Sequence, residues 1–360
     1  MKTARVASLL GLAALPMLAS AVPNPPAKTG PCDRACLQGF VDKYLDAMQA
    51  HQVSDDLFAR NVIFTENGIR LPFGHEGLWY DMSGKGQYKF YVPDIETQQI
   101  AFIGTVRFGG KTETDGTLAA IALRLKIVDN KITQIEQLDI RPDNTASVGG
   151  PRPPAGGAGG AAPGGAPRPA GPPTAGGAAP AGAGAPRPAA PAARPGTGDS
   201  VDRLGKPADV FFETIPENKR ATREELIKTA NYYFSGLSHN DGKGYYPFTD
   251  DCMRLENGMQ TTAKEPGACK KQFETGLKGI VDRVRDRRFV AVDRERGIVF
   301  AFAFFDHYRI NWTWQLAELF KIEDGQIRRI EAVFQRAPFG IPSGWSTYEQ
   351  SISEERQDVR

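Results

Sequence analysis

Several absences narrow what this chain can do. No Ser-His-Asp arrangement is legible, and no dinucleotide fingerprint or phosphate-cradling glycine loop occurs. The one glycine-rich stretch is compositional and lies in no strand–helix context. Charge of one sign is also missing. Lys and Arg number 44 against 42 Asp and Glu, with no long basic stripe, so no nucleic-acid partner is expected. Past the N-terminal segment, no apolar run approaches the roughly 20 residues of a membrane-spanning helix. Cysteine is scarce. Cys32 and Cys36 lie close together, as do Cys252 and Cys269, and neither pair has a histidine at ligand spacing. The expectation is no metal and no cofactor.

Among the features present, the N-terminus comes first. Lys2 and Arg5 precede an apolar run from Leu9 to Leu18, and Ala19-Ser20-Ala21 follows as a small-residue cleavage site. Residues 1–21 therefore read as a signal peptide cleaved near Ala21, which predicts a secreted or periplasmic protein. In an oxidising compartment the cysteines should pair. Four cysteines allow three connectivities. If each folded segment closes its own bridge, the pairs are Cys32–Cys36 and Cys252–Cys269. The second would contribute roughly 3 kcal/mol by chain entropy.

Residues 143–205 are dominated by Pro, Ala and Gly with a few Arg. Such a composition cannot bury enough apolar surface to offset its ordering entropy, so a disordered linker is expected. It separates two candidate domains, 28–142 and 206–350. Both begin with an amphipathic helix. Leu37, Phe40, Val41, Tyr44, Leu45 and Met48 form one stripe, and Leu226, Ala230, Tyr233, Phe234 and Leu237 form the other. Thr222 and Glu225 have the spacing of a capping box. Tyr44 aligns with Tyr233, and Glu66-Asn67-Gly68 reappears as Glu256-Asn257-Gly258, one residue out of step. A further helix is predicted over Lys271–Val284, then strands over Phe289–Asp293, Gly297–His307, Asn311–Glu323 and Gln326–Gln335. Asp129-Asn130 and Asp324-Gly325 read as hairpin turns. Helices followed by a long antiparallel sheet predict an α+β fold, present twice.

The closing hairpins carry a resemblance. Lys321-Ile322-Glu323-Asp324-Gly325-Gln326-Ile327 with Arg329-Ile330-Glu331, and Lys126-Ile127-Val128-Asp129-Asn130-Lys131-Ile132 with Ile135-Glu136, resemble the NTF2-like (SnoaL-like) superfamily. That resemblance implies two cone domains, each a curved antiparallel sheet wrapped around N-terminal helices and enclosing an apolar pocket. The Glu-Asn-Gly repeats, Phe305-Asp306-His307 and the Pro338–Trp345 tail resemble, more narrowly, an uncharacterised secreted family (DUF8021). Ketosteroid isomerase and scytalone dehydratase share the cone fold. By that resemblance a helix tyrosine and sheet carboxylates or histidines would work in the pocket, without a cofactor.

The residues support specific candidates. Trp314, Leu316, Glu318, Phe320 and Ile322 share the bulkier face of one strand. Glu318 is then a carboxyl among aromatics, where burial raises its proton affinity. Tyr233, Glu256, His307 and Asp306 complete the acid–base candidates, although strand alternation lets only one of Asp306 and His307 face inward. Trp314, Trp312, Phe304 and Arg254 are the ligand-binding candidates. Each has a plainer reading: a turn or an Arg254 pair for Glu256, an Arg288 pair for Glu318, core packing for Tyr233 and the tryptophans. In the first domain Leu123 stands where Glu318 does, and Leu71–Tyr91 reads as a loop over the mouth. The expected partner is a small apolar or semi-polar molecule, bound for isomerisation, dehydration or cyclisation. The alternative is a non-catalytic ligand-binding or protein-interaction module. Trp312 or Trp345 on an exposed rim would instead suit a carbohydrate. The linker would also let the two domains pair as an intramolecular pseudo-dimer.

Overall fold

Each helix earns its place by the apolar stripe it buries. In the computed structural model, which describes residues 30–142, 201, 203–275 and 281–360, α1 (Arg34–Gln49) starts at Asp33, whose side chain accepts from the Cys36 N–H. It buries Leu37, Phe40, Val41, Tyr44, Leu45 and Met48. The long helix α3 (Arg223–His239) starts at a complete Thr222/Glu225 capping box and ends at Asn240 in the left-handed region. The signal peptide and nearly all of the linker read from the sequence lie outside the described residues.

The first sheet comprises β1 (Phe58–Glu66), β2 (Ile69–Arg70), β3 (Met82–Asp94), β4 (Gln99–Phe108), β5 (Thr117–Val128) and β6 (Lys131–Ile140), in the order β2-β1-β6-β5-β4-β3. A short helix α2 (Leu78–Asp81) precedes β3. The second sheet repeats the plan with β7 (Phe248–Glu256), β8 (Met259–Gln260), helix α4 (Ala268–Thr275), β9 (Arg283–Asp293), β10 (Ile298–His307), β11 (Trp312–Glu323) and β12 (Gln326–Pro338). A tail with α5 (Tyr348–Ile352) and β13 (Arg356–Asp358) extends it to the order β13-β9-β10-β11-β12-β7-β8.

Three expectations require correction here. Both sheets are mixed, because β1 pairs parallel with β6, and β7 with β12. The strand after each helix enters beside the last long strand of its domain, a pairing that local alternation cannot reveal. The helix predicted over Lys271–Val284 is Ala268–Thr275, and Arg283 already belongs to β9. The Leu71–Tyr91 loop contains α2 and much of β3.

The doubled Glu-Asn-Gly forms the β1–β2 and β7–β8 hairpins. Asn67 and Gly68 have φ of 52° and 80°, and Asn257 and Gly258 have 47° and 83°, the positive values that Asn and Gly tolerate best. Each asparagine also ties its turn to the last long strand of its own sheet. The Asp139 N–H donates to Asn67 Oδ1 at 2.9 Å. Asn257 Nδ2 donates to the Phe334 carbonyl at 3.0 Å, and its Oδ1 accepts from the Phe334 N–H at 2.9 Å.

Three apolar cores result. One fills the first sheet around α1, and one fills the second around α3. The third lies between the outer faces of the two sheets. Tyr88, Phe90, Ile103 and Leu138 come from one side and Val290, Phe300, Phe302 and Val333 from the other. Val201 and Leu204, assigned to the linker by composition, are buried in it. The double burial explains why β10 is apolar at almost every position rather than at alternate ones. Polar ties cross the same interface. Arg288 donates to both oxygens of Glu136 at 2.7 Å, and the Tyr88 hydroxyl donates to Glu331 at 2.6 Å.

Candidate active site

In the second domain α3 and the inner sheet face bring polar groups from two strands, β11 and β7, toward one tyrosine. Tyr233 projects from the apolar side of α3 and is 1% exposed. Glu318 on β11 pairs in register with Ala332 on β12, and Ala332 with Glu256 on β7. The three side chains therefore form a row across the sheet, with the small alanine in the middle. Arg254, two residues before Glu256, lies on the same face.

The Tyr233 hydroxyl and the Glu318 carboxyl are neighbours that act on each other electrostatically. Glu318 is almost fully buried, and its Oε2 has no partner among the described residues. Burial is the dominant effect and lifts this carboxyl from 4.5 to about 8. The neighbouring Tyr233 hydroxyl and the Arg254 charge oppose that rise, and Glu256 adds to it. Burial likewise pushes the Tyr233 hydroxyl well above 10. Arg254 donates to Glu256 Oε1 at 2.6 Å and to Gln272 Oε1 at 3.1 Å, and its guanidinium lies 5.3 Å from the Tyr233 ring centroid. At ordinary pH the cluster holds one ion pair, one neutral carboxylic acid and one neutral phenol. Glu318 can supply a proton and Tyr233 a hydrogen bond, beside the Arg254–Glu256 ion pair.

The remaining candidates separate. His307 faces the interior side, its ring 4.4 Å from that of Trp314, which in turn lies 5.1 Å from Phe334. The Trp314 indole N–H has no partner among the described residues. Asp306 points the other way. It accepts from Arg283 at 2.6 Å, Arg285 at 2.9 Å and the Thr313 hydroxyl at 2.6 Å, and these donors hold its carboxyl below the usual range despite burial. Asp306 is thus a structural anion at the sheet's outer side and drops out as an acid–base candidate. Phe304 shares that side, under the Arg285 guanidinium at 4.6 Å, and is not a ligand contact of the interior. Trp312 is covered by Arg336, 3.6 Å from its ring centroid. Trp345 lies under Arg124 at 4.7 Å, its indole N–H donating to the Thr65 hydroxyl at 2.7 Å. Neither presents the exposed platform a carbohydrate would need. Arg288, the alternative partner for Glu318, is engaged by Glu136 instead.

The first domain closes the equivalent space. Trp79, fully buried, donates its indole N–H to the Tyr44 hydroxyl at 3.1 Å. Tyr44 donates to Gln137 Oε1 at 2.7 Å, and Gln137 Nε2 donates to Glu66 Oε2 at 2.7 Å. The Leu78 N–H completes the set at 2.9 Å. Burial, then the nearby Asp139, raises the Glu66 carboxyl to about 7, against the Leu78 and Gln137 bonds. Gln137 stands where Ala332 does, and Leu123 where Glu318 does. The polar group that meets the tyrosine has moved one strand across. Sequence reasoning missed Gln137 and read Trp79 only as part of a loop over the mouth, whereas it is fully buried against Tyr44. Only the buried pairing of Tyr44 with a neighbouring strand would have exposed them.

The bridges are Cys32–Cys36 and Cys252–Cys269, both within their own half of the chain. They fit an extracellular or periplasmic setting. Among the described residues no helix is long and apolar enough to cross a membrane.

Comparison with known families places residues 219–334 within the model of a family described as "Domain of unknown function (DUF8021)". No curated protein matches the chain. Among solved structures, a de novo designed protein with a curved β-sheet is 18% identical, covering 32% of this chain and 88% of its own, with a TM-score of 0.25. A protein of unknown function with a cystatin-like fold from Methylobium petroleophilum PM1 is 18% identical over 32% of this chain and 78% of its own, with a TM-score of 0.26. The epoxide hydrolase/cyclase-like enzyme SalBIII, titled for a role in pyran ring formation in the polyether salinomycin, is 12% identical over 32% and 97%, with a TM-score of 0.27.

Proposed function

We propose that this chain is an exported tandem of two NTF2-like cones, bounded near 28–142 and 206–350, in which the second cone binds a small apolar or semi-polar molecule. In this reading Glu318 is the proton donor, Tyr233 a second hydrogen-bond donor and Glu256 the proton acceptor. The reaction class is cofactor-free isomerisation, dehydration or cyclisation. The first cone, its interior occupied by Trp79, supports the second across the shared core as an intramolecular pseudo-dimer.

One observation carries the reading. Glu318 is a buried carboxyl beside a buried phenol, with one oxygen unpaired among the described residues. A buried structural carboxyl is ordinarily held by hydrogen bonds, as Glu66 Oε2 is in the first domain by Leu78 and Gln137. A group with a perturbed proton affinity and spare capacity is suited to meet a ligand.

The test is turnover of β,γ-unsaturated cyclic ketones and β-hydroxy ketones, followed by the absorbance of the conjugated product. Turnover by the protein should fall by about 10²-fold or more in Glu318→Gln, the usual contribution of a positioned acid. Turnover unaffected by that substitution would remove Glu318 from the chemistry. A binding module without turnover is favoured by one other feature: Glu256 is held by Arg254 at 2.6 Å, so a base there must first give up an ion pair. Saturable ligand binding that Glu318→Gln weakens, with no product formed, would establish that alternative.

A further inference from the structure

A second site lies on the outside of the helix that carries Tyr233. Successive residues on a helix are turned by about 100°, which carries Tyr232, half-buried, off the stripe that buries Tyr233 and toward the helix's solvent side. Tyr232 meets Tyr245 edge to face, with ring centroids 4.9 Å apart and planes at 78°. Tyr245 is 65% exposed, so its ring face is open to solvent beside Tyr232. The two rings form one corner of a cleft of about 540 Å³, also lined by Asn218, Lys219, Arg220 and Lys228. That volume accommodates a small ring-shaped ligand.

The cleft lining carries three cations, Lys219, Arg220 and Lys228, against one carboxylate, Glu225. Lys219 and Lys228 have no ion-pair partner among the described residues. Arg220 donates to the Ile215 carbonyl at 2.9 Å and has no ion-pair partner among the described residues. Arg294 donates to the carbonyl of Ala221, another cleft residue, at 3.0 Å. The acidic group lining the cleft is Glu225, whose carboxylate is engaged by the Thr222 N–H and hydroxyl at 2.8 Å as the α3 cap. An aromatic corner supplies a flat surface for a ring. The surrounding cations select for a negative substituent on it.

We propose that this cleft binds a six-membered ring bearing a carboxylate, at a site separate from the Glu318 interior. Two sources share that chemistry, a uronic acid sugar and an aromatic acid. Isothermal titration of the exported chain with D-galacturonate, benzoate and their neutral counterparts galactose and benzyl alcohol tests it. At low salt at least one acid should bind roughly tenfold tighter than its neutral counterpart, with the preference weakening as salt rises. Galacturonate alone, benzoate alone or both would each support the site and identify the source. Tyr245→Ala and Lys228→Gln should each weaken the preferred acid about fivefold or more, and Glu318→Gln should leave it unchanged. Equal binding of acids and neutral rings, no binding of either acid, or full affinity in a Tyr245→Ala/Lys228→Gln double variant would overturn the proposal. Loss of binding in Glu318→Gln would also overturn it, by assigning the acid to the interior.

Discussion

Replacing Glu318 with glutamine should change how the protein's stability depends on pH, and the size of the change follows from the site. The folded carboxyl sits near 8 and an unconstrained one near 4.5. Between those values the folded state holds a proton that the unfolded state has lost. Stability therefore falls as pH rises through this window, by about 1.4 kcal/mol per unit at most. The favourable contribution is fully present below about 4.5 and gone above about 8, roughly 5 kcal/mol in all. Glutamine keeps the shape beside Tyr233 but does not titrate. Glu318→Gln should be within about 1 kcal/mol of the wild type at pH 5 and several kcal/mol more stable at pH 8. Glu66, raised to about 7, acts in the same direction over a narrower window. The comparison is therefore cleanest with Glu66→Gln present in both proteins. Urea denaturation at half-unit steps from pH 5 to 8.5 gives the curves directly. Parallel curves for the two proteins would mean that Glu318 ionises normally in the folded state, and the reasoning about a buried neutral acid would fail.

Two further outcomes test the interface and the repeated turn. Arg288→Met leaves Glu136 buried with the Arg124 Nε 3.7 Å away as its remaining ion-pair partner, so it should cost about 3–5 kcal/mol by denaturation. Adding Glu136→Gln should recover a large part of that loss, whereas an additive double variant would refute the pairing. Asn257→Ala removes both hydrogen bonds to the Phe334 backbone and should cost about 2–3 kcal/mol. Asn257→Asp, which keeps the acceptor for the Phe334 N–H, should cost less, and equal losses would show that the turn conformation alone matters.

Local periodicity made some of the site legible. The helical stripe put Tyr233 on the apolar side of its helix, and alternation along β11 put Glu318 on the same face as Leu316 and Phe320. Those patterns reflect side-chain direction within one element, which spacing encodes. Asp306 and Phe304 were not legible in the same way. β10 is apolar on both sides, so its pattern does not say which face meets α3 and which meets the other sheet. Trp79 was equally opaque, because a tryptophan in a glycine-rich stretch looks like a lid residue until the fold tucks it under Tyr44.

The sequence by itself determined the doubled plan, the two helices with their inward tyrosines, the hairpin turns and the α+β class. All of these arise from contacts a few residues apart or from the conformational preferences of Asn, Gly and the capping residues. Tertiary structure alone decided that each sheet contains a parallel pair, that two outer faces join in a third core, and that Glu136 and Arg288 meet across it. It also decided that the tyrosine in one domain donates to a neutral amide and in the other lies beside a buried acid. These depend on which strands become neighbours, and strand neighbours are set by long-range burial that no local pattern records.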